Sequence, residues 1–322
     1  MIVAEGLGKS YRDGAGVEGL SFTVRPGVVT GFLGPNGAGK STTIRLMLGL
    51  TRGRGHTTFG GRTYAEVPGP LRTVGVLADA AAVHPARTAA AHLRMVAAGG
   101  GVPFRRVREV LAAVGLADVA GKPAGRFSLG MKQRLGLATA LLGDPEYLIL
   151  DEPANGLDPQ GVRWIRDLLR RLAGEGRTVF ASSHLLAETA LLAEDLIVIA
   201  GGRLVSAGPL DEFVRRHARA DVVVRAESPG ALLVALARDG LRVRQEAREL
   251  VVDTADTARV AAVAGRAGVP VRELFVRQSG LEDAFLAATA DAATAGAVAA
   301  GAMTADAMTT DAVTDRSRGG LP

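Results

Sequence analysis

Short apolar runs separated by turn residues open the chain. Ile2-Val3-Ala4 and Leu20-Ser21-Phe22-Thr23-Val24 predict strands with Arg25-Pro26-Gly27 as a turn between strands. The run Val28-Val29-Thr30-Gly31-Phe32-Leu33 predicts a buried strand, and Ser41 to Leu48 a helix. Residues 56–78 carry further short strands that end in Val74-Gly75-Val76-Leu77. The period then changes. His92-Leu93-Arg94-Met95-Val96 and Val107 to Val114 have helical spacing, with Gly115 as a stop, so 85–125 reads as a helical insertion. Leu135 to Leu142 predicts a helix and Tyr147-Leu148-Ile149-Leu150 a buried strand. An amphipathic helix over Val162 to Leu172, a strand over Thr178 to Ser183 and a Gly201-Gly202 hairpin follow. Strands alternating with helices predict an α/β fold. The first domain is expected over 1–217, with a helical subdomain over about 79–143.

Residues 220–286 read as strand, helix, strand, strand, helix, strand. The strands are Val222 to Val224, Leu241 to Val243, Leu250 to Val252 and Val271 to Val276, with helices near 230–238 and 257–266. That order predicts a small ferredoxin-like α+β accessory domain over 218–289. Ser279 and Glu282 form a capping box for a short last helix. Residues 290–322 are mostly Ala, Thr, Asp and Gly, too poor in large apolar side chains to fold alone, and are expected to be a disordered tail.

Composition narrows the setting. A chain of 322 residues has room for one large core and a smaller domain. It has no cysteine, which excludes a disulfide scaffold and thiolate metal sites and fits a cytosolic setting. The N-terminus lacks the pattern of a signal peptide, and no segment reaches the length of a membrane span. The net charge is +5, but only four of the 38 basic residues are lysines and the arginines are scattered. Without a basic stripe interleaved with aromatics, no nucleic-acid partner is expected.

The chemistry begins at Gly34-Pro35-Asn36-Gly37-Ala38-Gly39-Lys40-Ser41-Thr42, which fits G-x-x-x-x-G-K-[ST] between a predicted strand and a predicted helix. Glycines let successive N–H groups curl around one anion, and the helix adds its positive end. Lys40 can reach terminal phosphates and the Ser41 hydroxyl can ligate Mg²⁺. Tyr11 can stack on a base or be an ordinary half-buried tyrosine. Ser128 and Gly130 lie at the start of a helix, where Ser128 is either a plain N-cap or part of an anion site. The strand Tyr147 to Leu150 ends in Asp151 and Glu152, a pair suited to holding Mg²⁺ and polarising a water. His184 stands at the carboxyl end of another strand, the ligand side of a doubly wound sheet.

Taken together these elements resemble the ATP-binding subunit of ABC transporters, within the drug- and antimicrobial-peptide-export branch that includes daunorubicin resistance. The resemblance covers about residues 1–217 and extends to the C-terminal arrangement. It implies a phosphate-loop NTPase fold: a RecA-like core with an antiparallel β subdomain and a helical subdomain. It implies ATP and Mg²⁺, with Gly34 to Thr42 as Walker A, Asp151 as Walker B and Glu152 as the catalytic glutamate. It makes Tyr11 the adenine-stacking residue, Asp158 the end of the D-loop and His184 the switch histidine. Phe127-Ser128-Leu129-Gly130-Met131 stands where the family has L-S-G-G-Q, so Ser128 and Gly130 are implied to cap the γ-phosphate of a second subunit. Asp79 occupies the position of the Q-loop glutamine and is a candidate Mg²⁺ contact through water. The implied assembly is a dimer around two ATP, a homodimer or a pair with a related subunit, docked on a separate membrane permease at the cytoplasmic face and powering export of a drug, peptide or lipid-like compound. Two alternatives stand beside this reading: an ABC ATPase acting on ribosomes or DNA, and a low-turnover nucleotide switch.

Overall fold

Strands buried on both faces read as continuous apolar runs, because their side chains alternate between two cores. The structure, a computed structural model, describes residues 1–11, 16–78, 82–217, 220–247, 249–278 and 280–290. The chain divides into two compact units, Met1–Leu210 and Asp211–Ala288.

In the first unit β1 (Ile2–Ser10), β2 (Gly16–Val24) and β3 (Val29–Leu33) precede α1 (Lys40–Met47). Next come β4 (Arg54–Phe59), β5 (Arg62–Thr63), α2 (Pro70–Thr73) and β6 (Val74–Leu77). The helices α3 (Ala89–Gly99), α4 (Arg105–Ala113) and α5 (Leu129–Leu141) lead to β7 (Tyr147–Leu150). Then α6 (Pro159–Gly174), β8 (Thr178–Ser183), α7 (Leu186–Leu192), β9 (Asp195–Ala200) and β10 (Arg203–Pro209) complete it.

Two sheets result. One has the order β2-β1-β4-β5 and is antiparallel; the other has the order β10-β9-β3-β8-β7-β6 and is parallel except for β10. Alternation along β7 and β8 sorts the cores. Leu148, Leu150, Val179 and Ala181 face the core shared with α3 to α6, whereas Tyr147, Ile149 and Phe180 face α1 and the antiparallel sheet. Phe22, Phe32 and Phe180 tie the two sheets together, with Phe32 and Phe180 centroids 5.0 Å apart. This is a cassette of the phosphate-loop NTPase class, with mixed α/β sheets.

The elements run longer than their apolar cores predict. The helix whose apolar run begins at Leu135 starts at Leu129, where the Ser128 side chain, one of whose two readings is an N-cap, accepts from Met131 N–H. Asp158 does the same for α6 through Gly161 N–H at 2.7 Å, with Pro159 in the first turn.

The second unit begins in α8 (Leu210–His217) and continues through β11 (Ala220–Ala226), α9 (Pro229–Arg238), β12 (Val243–Glu246), β13 (Glu249–Val252), α10 (Thr257–Arg266) and β14 (Val271–Gln278). Its sheet is antiparallel, in the order β12-β13-β11-β14. Val222, Val224, Leu250 and Val252 pack on Leu232, Leu236, Val260 and Val263. Leu241, expected to start a strand, instead closes α9. Gly240 sits at φ +78° and Leu241 N–H reaches back to Leu236 O, a helix stop that delays β12 to Val243. Residues 281–290 are helical, and Leu281, Ala284, Phe285 and Ala288 form its buried face. Asp79, Ser279 and the tail from 291 lie outside the described residues.

Candidate functional site

The strand order sets β3, β8 and β7 side by side and parallel, so their carboxyl ends open on one crevice. The loop after β3 curls with Gly37 at φ +80° and Gly39 at φ +102°, a backbone that side chains rarely allow. Gly34 is tied closely to the sheet; a Cβ there would meet Ile199 O at 2.7 Å. Ala38 N–H turns back to Pro35 O. The N-cap of α1 is Gly39, which offers no side chain, and the first turn holds no acidic residue. The helix therefore presents its first N–H groups and positive end to whatever enters the loop. Pro35 to Gly37, Gly39 to Thr42 and Glu152 line an open cleft of about 260 Å³.

Lys40 is 8% exposed, and its ammonium donates to Gly34 O at 2.7 Å and Pro35 O at 3.4 Å. It lies 4.0 Å from Glu152 Oε1. Burial lowers its pKa, and the carboxylates of Glu152 and Asp151 partly oppose that shift. Ser41 Oγ donates to Asp151 Oδ2 at 2.8 Å, so hydroxyl and carboxylate converge as a pair of hard oxygen donors. Such a pair suits Mg²⁺, which takes one or two protein oxygens together with phosphate and water. Among the described residues no cluster of three or more His, Cys, Asp or Glu forms a metal cage by itself.

Glu152 occupies the left-handed region at φ +49°. Its Oε2 lies 2.7 Å from His184 Nδ1 and 3.3 Å from His184 N–H. The structure thus brings Lys40, Ser41, Asp151, Glu152 and His184 together from three parts of the sequence. Tyr11 is 41% exposed at the rim of the loop helix. Its hydroxyl is 3.5 Å from Thr42 Oγ1, and Lys9 Nζ sits 5.0 Å over its ring.

Ser128, Gly130 and Asp158 are elsewhere. They line a separate open cleft of about 630 Å³ with Leu129, Met131 and Gly156. Leu129 packs on Gly156, where a Cβ would meet its Cδ2 at 2.4 Å, and Gly130 lies close to Gly156 O. The N–H groups at this end of α5 are not all free for an anion: Met131 N–H is taken by Ser128 Oγ at 3.2 Å. The Ser128 hydroxyl keeps its own proton for donation, since a hydroxyl can accept and donate at once.

Two residues of the site escaped the sequence reading. Ser182, fully buried in β8, donates to Asp151 Oδ1 at 2.5 Å and accepts from Glu152 N–H at 2.9 Å. Gln133, 5% exposed in α5, donates from Nε2 to Glu152 O at 2.8 Å. A serine inside a strand and a glutamine on a helix carry no motif of their own. The one signal was a polar residue at a position where the surrounding pattern demands burial.

Fold and loop define a phosphate-loop nucleotide-binding protein. The family model described as ABC transporter matches residues 17–155, and one described as Domain of unknown function (DUF8746) matches 220–282. The daunorubicin resistance ATP-binding protein DrrA3 of Streptomyces coeruleorubidus is 33% identical over 305 residues, covering 90% of this chain and 96% of that one. The bacitracin transport ATP-binding protein BcrA of Bacillus licheniformis is 41% identical over 215 residues, 66% of this chain and 70% of that one. A solved ATP-binding subunit of an ABC transporter superposes with TM-score 0.61 at 28% identity, over 67% of this chain and 92% of that one. The chain belongs to the ABC transporter family, as an ATP-binding subunit with ATPase activity. Among the described residues no helix is long and apolar enough to cross a membrane.

Proposed function

We propose that this subunit hydrolyses Mg-ATP in a dimer of two such chains and powers export of a drug, peptide or lipid-like compound through a separate permease at the cytoplasmic face of the membrane. The observation that carries the reading is the Glu152–His184 pair of 2.7 Å beside Lys40 at the phosphate loop, while Ser128 and Gly130 line a different cleft. A signature segment that does not reach its own phosphate loop is what a site shared between two copies requires.

The geometry supports the following roles. The loop from Gly34 to Thr42 cradles the phosphates with its N–H groups, and Tyr11 flanks the adenine. Lys40 offsets the charge that builds on the terminal phosphate. Ser41 and Asp151 would hold Mg²⁺, which supplies further neutralisation of phosphate charge. Asp79 belongs to the same metal environment by sequence alone. Glu152 accepts a proton from, and orients, the attacking water; His184 holds the carboxylate in place and faces the transferring group. Ser128 and Gly130, with Asp158 beside them, close on the partner's γ-phosphate. Differential contacts to that phosphate let ATP close the dimer and hydrolysis open it.

Export of a drug or peptide is supported by the relatives named for daunorubicin resistance and bacitracin transport. The domains are read as 1–217 for the ATPase and 218–289 for an accessory domain. Its strand order, β12-β13-β11-β14, and its β-α-β-β-α-β succession support a ferredoxin-like topology. The test is affinity purification of the tagged full-length chain from detergent-solubilised native membranes. A single multi-span membrane protein recovered near one-to-one supports the transporter reading. Ribosomal proteins or nucleic acid in its place overturn it.

A further inference from the structure

We infer that Gln133 is a positioning residue for the catalytic carboxylate: its amide fixes the backbone of Glu152 and ties that backbone to the helix that begins with Ser128 and Gly130. The inference rests on the proposed role of Glu152.

Glu152 holds a left-handed backbone that a residue with a side chain adopts only when its surroundings impose it. Both of its peptide groups are gripped. On one side Ser182 Oγ accepts from Glu152 N–H at 2.9 Å. On the other, Glu152 O accepts from Gln133 Nε2 at 2.8 Å and from Asn155 N–H at 3.1 Å. The Asn155 contact is local to the loop and moves with it. On the carbonyl side Gln133 is the grip from a different element, as Ser182 is on the N–H side, and it is almost wholly buried, so water does not replace it at little cost.

Gln133 lies five residues beyond the N-cap Ser128, about 7.5 Å along α5 at 1.5 Å per residue. One rigid helix therefore carries the signature residues at its end and the clamp on Glu152 within its second turn. Leu129 and Gly130 pack on Gly156 and Leu157, at the far end of the loop that starts at Glu152, so loop and helix touch at two points. A shift of α5 when its end engages a second copy is transmitted to the peptide that aims the Glu152 carboxylate. In the dimer, the state of the site that receives this chain's signature is thereby felt at the site this chain's own carboxylate serves.

The experiment measures ATP hydrolysis by the full-length chain carrying Gln133→Met, which keeps length and volume but cannot donate. Gln133→Glu, which sets a carboxylate against a carbonyl, is the second variant should the first unfold. The expected result is a kcat lowered about tenfold or more, with KM for ATP and the Tm near wild type, because a small misplacement of a reacting group is costly. Adding Gln133→Met to Glu152→Gln is expected to lower the residual rate no further, whereas a general structural role lowers both backgrounds alike. Wild-type kcat in Gln133→Met with Glu152→Gln inactive overturns the inference alone. Full activity in Glu152→Gln overturns the role of Glu152 itself.

Discussion

The phosphate-loop cleft and the signature cleft both lie at helix N-termini, and they are finished differently. The end of α1 has a glycine N-cap, no side-chain cap and no acidic residue in its first turn. The ends of α5 and α6 are closed by Ser128 and Asp158 on their own backbones. The first is an open anion seat with a buried lysine beside it. The second has one N–H at each helix end already taken by its own chain, and presents the Ser128 hydroxyl beside an exposed leucine. The contrast fits the proposed division of labour, in which the loop binds nucleotide in the single chain and the signature surface adds contacts to a nucleotide held by another chain.

Four substitutions sharpen this contrast. The largest effect is expected from Glu152→Gln, which keeps size and hydrogen bonding to His184 but removes the base. Its kcat is expected to fall about 10²–10⁴-fold with ATP affinity retained, as measured by phosphate release and by equilibrium binding. Lys40→Met comes next. Loss of a charge-assisted contact is expected to weaken ATP binding about 10–100-fold, read by titration calorimetry. The same variant carries a pH signature. Burial lowers the folded-state pKa of Lys40 below its unfolded value, so the native state binds fewer protons between the two. The cost of the buried cation is fully present below the folded-state pKa and is relieved as pH rises through it towards the ordinary value of 10.5. A wild-type Tm advantage that grows over that alkaline range relative to Lys40→Met is the expected outcome.

Ser128→Asp tests the other cleft. Aspartate caps a helix as well as serine does, so the Tm and ATP binding to the single chain are expected to stay. A negative charge facing a phosphate is expected to lower turnover about tenfold or more. Equal loss of ATP affinity would erase the distinction between the two clefts. The smallest effect concerns how the signature helix is held. His92 of α3 is 7% exposed, its Nε2 is 3.3 Å from Thr139 Oγ1 on α5, and its Nδ1 has no partner among the described residues. Burial, with Arg87 nearby, lowers its pKa below 6.5. The unfolded chain then binds the extra proton first, so stability is lost as pH falls below 6.5. His92→Leu is expected to show a shallower fall of Tm between neutral and mildly acid pH, with ATP affinity unchanged.

How much of this was legible depended on where the information lay. The loop from Gly34 to Thr42, Asp151, Glu152 and His184 was readable, because strand ends and glycine spacing are local patterns. The helical start at Leu129 was legible only through the cap, since Ser128 reads as a possible N-cap while the apolar period begins at Leu135. The delay of β12 to Val243 turned on the Gly240 stop rather than on the apolar character of Leu241. Ser182 and Gln133 carried no motif, only the faint signal of a polar residue where the pattern demands burial. They act by long-range hydrogen bonds, to Asp151 and Glu152 from β8 and to Glu152 from α5, which no spacing rule encodes.

The measurement that tests the account most directly is sedimentation of full-length Glu152→Gln with Mg-ADP, with Mg-ATP and without nucleotide, beside the same chain carrying Ser128→Asp. The account predicts a single chain without nucleotide or with ADP, a dimer with ATP, and no ATP-dependent dimer in the double variant. A single chain that binds ATP and stays a monomer would contradict it, as would an ATP-dependent dimer that forms equally well with Ser128→Asp.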